Sequence, residues 1–82
     1  MTLLQEMLQL GPGRDWTEEM KRKYAGKTQA ETRGELGSPA RVLATAANEP
    51  IDEYFINNGF LDLYFTRDAA TGAWVLAGCH LG

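Results

Sequence analysis

Apolar residues recur at two different periods along this chain, and the change between them divides it in two. Leu3, Leu4, Met7, Leu8 and Leu10 return at helical spacing while Gln5, Glu6 and Gln9 take the other side, which predicts a short amphipathic helix over residues 1–10. Gly11-Pro12-Gly13 closes it, because proline lacks the amide that a continuing helix needs. Trp16, Met20 and Tyr24 then share one face, behind an Asp15/Glu18 capping arrangement. Lys21, Arg22 and Lys23 fall in the last turn, where the helix dipole favours cations, and Gly26 ends the segment. Thr28-Gln29-Ala30-Glu31 is a capping box for a further helix that stops at Gly37-Ser38-Pro39. Gly34 inside that helix costs about 1 kcal/mol relative to alanine, and it reads as a point where another backbone comes close.

From Arg41 onward the period falls to two. Arg41 to Thr45 predicts a short strand, and Ala46-Ala47-Asn48-Glu49-Pro50 turns the chain. Ile51 to Ile56 and Phe60 to Phe65 are rich in β-forming residues and flank Asn57-Asn58-Gly59, where Asn-Gly is a strong hairpin signal. With Asn58 and Gly59 as the two-residue turn, Ile56 faces Leu61 and Tyr54 faces Leu63. Alternation puts Tyr54, Ile56, Leu61, Leu63 and Phe65 on one side, and Glu53, Phe55, Phe60, Asp62 and Tyr64 on the other. A second turn around Asp68 to Gly72 leads to a last strand from Trp74 to about Cys79, with Trp74 free to face either side. The expected fold is α+β, with N-terminal helices packed on one face of a three- or four-stranded antiparallel β-meander. Residues 1–82 form one domain: the amphipathic helix, a helical pair over 15–37, and the meander over 41–80.

Composition narrows the function classes. The 82 residues carry a formal net charge of −3, which gives no reason to expect nucleic acid as a partner. Seven of the eight basic residues lie between Arg14 and Arg41, while the chain from Val42 holds five acids and Arg67. That is either a mixed-charge helical layer against a mildly acidic sheet, or a steering field for a basic partner. Cys79 is the one cysteine, so an internal disulfide is excluded and a reducing compartment is expected. The start, Met1-Thr2-Leu3-Leu4-Gln5-Glu6, lacks the basic and unbroken apolar parts of a signal peptide. No stretch approaches the ~18 apolar residues of a membrane span. The expected location is the cytoplasm, or the periplasm or envelope if a leader has been removed.

The candidates for chemistry are few. Cys79 and His80 are adjacent, and neighbours in a strand point to opposite faces, so they do not form a nucleophile–base pair. A single His and a single Cys with no spaced partners make no zinc site. Asp52-Glu53 and Asp62 offer carboxylates, of which Glu53 and Asp62 share a face. That face is an open sheet with no cleft to raise a pKa. The glycines serve caps and turns, so no phosphate-binding loop is present. The expectation is no catalytic, cofactor-binding or metal-binding residue.

The hairpin face carrying Phe55, Phe60 and Tyr64 beside Glu53 and Asp62 is the informative one. Such residues either pair across strands and stabilise the sheet, or form a contact surface with aromatic anchors and a charged rim. Protein binding through Phe55, Phe60, Tyr64, Glu53 and Asp62 is the functional expectation. Its alternative is a small-ligand site or enzyme with a pocket between helices and sheet, lined by Trp16, Tyr24 and Trp74. The apolar stripe of residues 1–10 folds back on the domain's own core, leaving a monomer, or crosses to a second copy and makes a homodimer.

The run Gly26-Lys27-Thr28-Gln29-Ala30-Glu31-Thr32-Arg33-Gly34-Glu35-Leu36-Gly37-Ser38-Pro39 resembles the small outer-membrane-assembly lipoproteins of the SmpA/OmlA (BamE-like) type. The shared features are a glycine, a Thr-capped helix with an acid and an arginine, and a Leu-Gly-x-Pro end followed by a meander. Tyr54 stands where that family has an aromatic, Leu61, Leu63 and Phe65 match its alternating strand, and Gly72 its last turn. The likeness spans residues 26 to about 79. It implies the helix-pair-on-sheet fold shared with the β-lactamase inhibitor protein, whose group acts by binding other proteins, often through the open sheet face. The lipid-attachment cysteine of the lipoproteins is missing near the start, and the segment Leu3–Leu10 has no counterpart in the pattern.

Overall fold

Three helices precede a four-stranded antiparallel sheet in the computed structural model, which describes residues 2–82; Met1, included in the predicted first helix, lies outside the described residues. The elements are α1 (Leu3–Leu10), α2 (Thr17–Tyr24), α3 (Gln29–Leu36), β1 (Arg41–Ala44), β2 (Pro50–Ile56), β3 (Gly59–Arg67) and β4 (Trp74–Leu81). The strands lie in chain order, β1-β2-β3-β4, each antiparallel to the next. This is the expected α+β architecture in its four-stranded form.

Local chemistry sets the helix ends. Thr2 and Gln5 form a reciprocal capping box for α1, the Thr2 hydroxyl accepting from the Gln5 amide at 3.2 Å and the Thr2 amide donating to Gln5 Oε1 at 3.0 Å. The expected box at Thr28 and Glu31 starts α3. The Asp15/Glu18 arrangement is corrected. Trp16 occupies the cap of α2 without a side-chain cap bond, and Asp15 accepts instead from the Thr17 amide at 3.0 Å. Gly34 is also corrected: it is exposed, and open space surrounds the position a Cβ would take.

The core fills the space between the helices and one side of the sheet. Leu4, Met7, Trp16, Met20, Leu61, Leu63 and Phe65 are its innermost side chains. The α1 stripe folds onto this core through Leu3, Leu4 and Met7, and the Leu3 amide donates to the Tyr24 hydroxyl at 3.0 Å. Leu10, at the far end of the stripe, is 65% exposed. Trp74 packs against the core from β4, with the Arg67 guanidinium 5.0 Å from its ring centre.

α3 docks differently, because it has little apolar surface to offer. Thr32 is its one fully buried residue, and Leu36 packs at the core margin. Polar bonds hold it instead. Gln29 and Arg33, one turn apart on the same face, both donate to the fully buried Asp52 carboxylate of β2. The Tyr54 hydroxyl, from the same strand, donates to the Gly37 carbonyl at 2.7 Å. Between α2 and α3, Gly26 and Lys27 exchange backbone bonds with Leu76, which covers that stretch of the β4 edge.

The hairpin register differs from the expected one by two residues. Tyr54 pairs with Leu61, and Ile56 pairs with Gly59, so Asn57 and Asn58 make the turn. Asn58 takes the left-handed conformation at φ 68°. Gly59 belongs to β3, and it is small because the Gly82 carbonyl lies where its Cβ would be. A shift of two preserves the side-chain alternation, so the predicted faces survive. In β4, Ala77 is an extra residue between Leu76, opposite Phe65, and Gly78, opposite Tyr64. This bulge resets the alternation and lets Leu76 and Cys79, three residues apart, both reach the helix side. The last strand also runs past the expected Cys79 to Leu81.

Candidate functional site

Away from the helices, the sheet presents three rows of residues across its strands. The central row is Arg41, Glu53, Asp62 and His80, one from each strand in turn. Toward the hairpin end, Phe55 pairs with Phe60, and Phe60 exchanges backbone bonds with Gly82. On the other side lie Leu43, Ile51, Tyr64 and Gly78. All five sequence-predicted residues, Phe55, Phe60, Tyr64, Glu53 and Asp62, therefore share this face.

Their exposures rearrange the expected picture. Phe55 is 67% exposed, whereas Glu53 and Asp62 are 4% and 7% exposed. The charges are thus a sunken centre and the aromatic is the projecting rim, the reverse of an aromatic anchor inside a charged margin. Phe60 and Tyr64 are half-buried. Phe60 also leans toward His80, with ring centres 5.9 Å apart and planes inclined by 50°. Arg41 and His80 belong to the site as well. Sequence patterning missed them because no local signal sets which residues of the outer strands fall beside the hairpin pair.

The central row has a definite electrostatic order. Arg41 donates to Glu53 Oε1 from Nε at 2.7 Å and also from Nη2, and this ion pair holds the Glu53 carboxyl below the usual carboxylate range. Asp62 goes the other way. Burial first, and then hydrogen bonding and repulsion from Glu53, push it up to about 6. The expectation that an open sheet face raises no pKa is corrected: the packing of neighbouring side chains on the face withdraws Asp62 from water without a cleft. Its Oδ1 is buried and has no hydrogen-bond partner among the described residues.

The other candidates separate in space. Asp52 and Glu53 point to opposite sides of the sheet, Asp52 toward Arg33 and Glu53 toward Arg41. Cys79 lies opposite Leu63 on the helix side while His80 lies opposite Asp62 on the open side, so the adjacent pair stays apart as alternation requires. Burial raises the Cys79 thiol, which suppresses the reactive thiolate. Among the described residues, no group of three or more His, Cys, Asp or Glu side chains is arranged to hold a metal ion.

Trp16 and Tyr24, expected to line a pocket between helices and sheet, are core residues at 1% and 8% exposure. At that seam, a gap of about 10 Å³ remains beside Met20 and Leu76. A larger, open cleft of about 200 Å³ lies between the Pro12–Thr17 loop and the end of β4, bordered by Arg14, Asp15 and His80. Arg14 is already engaged there, stacked 4.3 Å over the Trp16 ring and paired with Glu19. No helix among the described residues is long and apolar enough to cross a membrane. No family model, curated protein or solved structure matches this chain.

Proposed function

We propose that this chain is a non-catalytic protein-binding module, a regulator, inhibitor or assembly factor, whose contact surface is the open sheet face. One observation carries the reading: Phe55 stands 67% exposed on a sheet face that no second layer covers among the described residues. A projecting aromatic beside a second ring, Phe60, with the exposed Arg41 in the adjoining row, has the composition of a binding hot spot. The resemblance to BamE-like lipoproteins, whose structural group acts by binding other proteins and often through the open sheet face, supports the same use.

The test is affinity capture with the wild-type chain and with a Phe55→Ala/Tyr64→Ala variant, followed by titration of the captured protein against each. A hot-spot aromatic contributes about 2 kcal/mol or more, so the variant should bind at least about 30-fold more weakly while melting as a folded domain. Equal affinity in a folded variant would end this reading.

A further inference from the structure

Glu53 and Asp62 are direct cross-strand partners on β2 and β3, so their carboxyl groups project side by side. Like charges placed opposite each other destabilise an antiparallel pair, and this pair is almost wholly withdrawn from the solvent that would screen it. The cation within reach is Arg41 on β1, and both of its donating nitrogens are on one oxygen of Glu53. Asp62 is left with a buried Oδ1 that has no partner among the described residues. From β4 it faces His80, and along β3 its neighbours on the face are Phe60 and Tyr64. The helices lie against the opposite side of the sheet. A buried anion with no cation of its own is neutralised most readily by a proton.

We propose that Asp62 and Glu53 share one proton, held between their carboxyl groups in weakly acid solution and released toward neutral pH, so that the open sheet face carries a pH-controlled charge. In the protonated state, the Asp62 carboxyl O–H donates to the Glu53 carboxylate, which Arg41 keeps ionised. On release the proton passes to solvent, and two anions stand over a single guanidinium. The raised Asp62 and lowered Glu53 agree with this division of roles. The face is then more negative at neutral pH than in acid, in the row next to Phe55 and Phe60.

The proton can be followed in the isolated chain, without any partner, so this proposal and the binding proposal fail separately. Carbon-13 NMR of the side-chain carboxyl signals, taken from about pH 4 to about pH 8, should give Asp62 a midpoint well above the ordinary carboxylate value of about 3.9 and close to 6. In Glu53→Gln the shared proton loses its second carboxylate and Arg41 becomes free, so the Asp62 midpoint should fall by about one unit or more. An ordinary Asp62 midpoint in the wild type overturns the proposal. An elevated midpoint unchanged in a folded Glu53→Gln chain also overturns it, since burial alone would then hold the proton. If that variant does not fold, Arg41→Gln decides: removing the cation should raise the first loss of a proton from the pair, and an unchanged titration rejects the coupling.

Discussion

Arg33 closes a two-point ion pair on Asp52, with Nε 2.9 Å from Oδ2 and Nη2 2.9 Å from Oδ1, at a carboxylate that has no exposure to solvent. The bond joins a helix with almost no apolar face to the second strand of the sheet. Removing one partner of a buried pair leaves the other charge uncompensated, which costs about 3–5 kcal/mol. Gln29 still donates to Asp52 at 2.9 Å, so Arg33→Ala should fall at the lower end, about 3 kcal/mol. Urea denaturation measures it, and a loss below about 1 kcal/mol would show that α3 is held by its apolar margin instead.

The first helix yields a contrast within one stripe. Leu4 is fully buried and Leu10 is 65% exposed. Leu4→Ala should therefore cost about 2–5 kcal/mol, while Leu10→Ala should stay within about 0.5 kcal/mol of wild type. Chemical denaturation of the two variants tests the docking of α1 on this core. A melting temperature that rises with protein concentration would instead indicate exchange of α1 between two copies.

Glycines separate in the same way. Gly34 lies exposed in a helix with nothing near its missing Cβ, so Gly34→Ala should stabilise the fold by about 0.5–1 kcal/mol. That corresponds to a rise of roughly 2–8 °C in a domain of this size. Gly11→Ala should destabilise it. Gly11 has φ 74°, and a Cβ there would run into the Asn57 carbonyl. Thermal melts of both variants read opposite signs.

Asp62 should give the fold a pH dependence of defined sign. Its folded pKa is raised to about 6, above the unfolded value of about 3.9. The stabilising contribution is complete below the unfolded value and is lost as pH rises through the folded one. Glu53 is lowered, so its contribution is present above its unfolded value and lost only in stronger acid. Between about pH 4 and about pH 7 the wild type should therefore lose melting temperature through Asp62, and Asp62→Asn should flatten that slope. Equal slopes in the two proteins would contradict the assignment.

Local information was enough for the start of α3 and for the division of the hairpin into two faces. Thr28 and Glu31 satisfy each other's backbone amides within one turn, and such a box needs no distant partner. The grouping of Phe55, Phe60, Tyr64, Glu53 and Asp62 survived a pairing register shifted by two residues, because the alternation has period two. The turn position itself depended on contact far along the chain. Gly59 had the look of a turn residue, yet its lack of a side chain makes room for the Gly82 carbonyl, and Asn58 supplies the positive φ. The electrostatics of the candidate site were illegible for the same kind of reason. Whether Glu53 and Asp62 are solvated rim charges or a buried pair depends on Arg41 and His80 arriving beside them from β1 and β4. The partner of Asp52 likewise comes from a helix 19 positions earlier. Alternation names the face on which a charge stands, and only assembly of the strands and helices determines how much water and which counter-charge remain beside it.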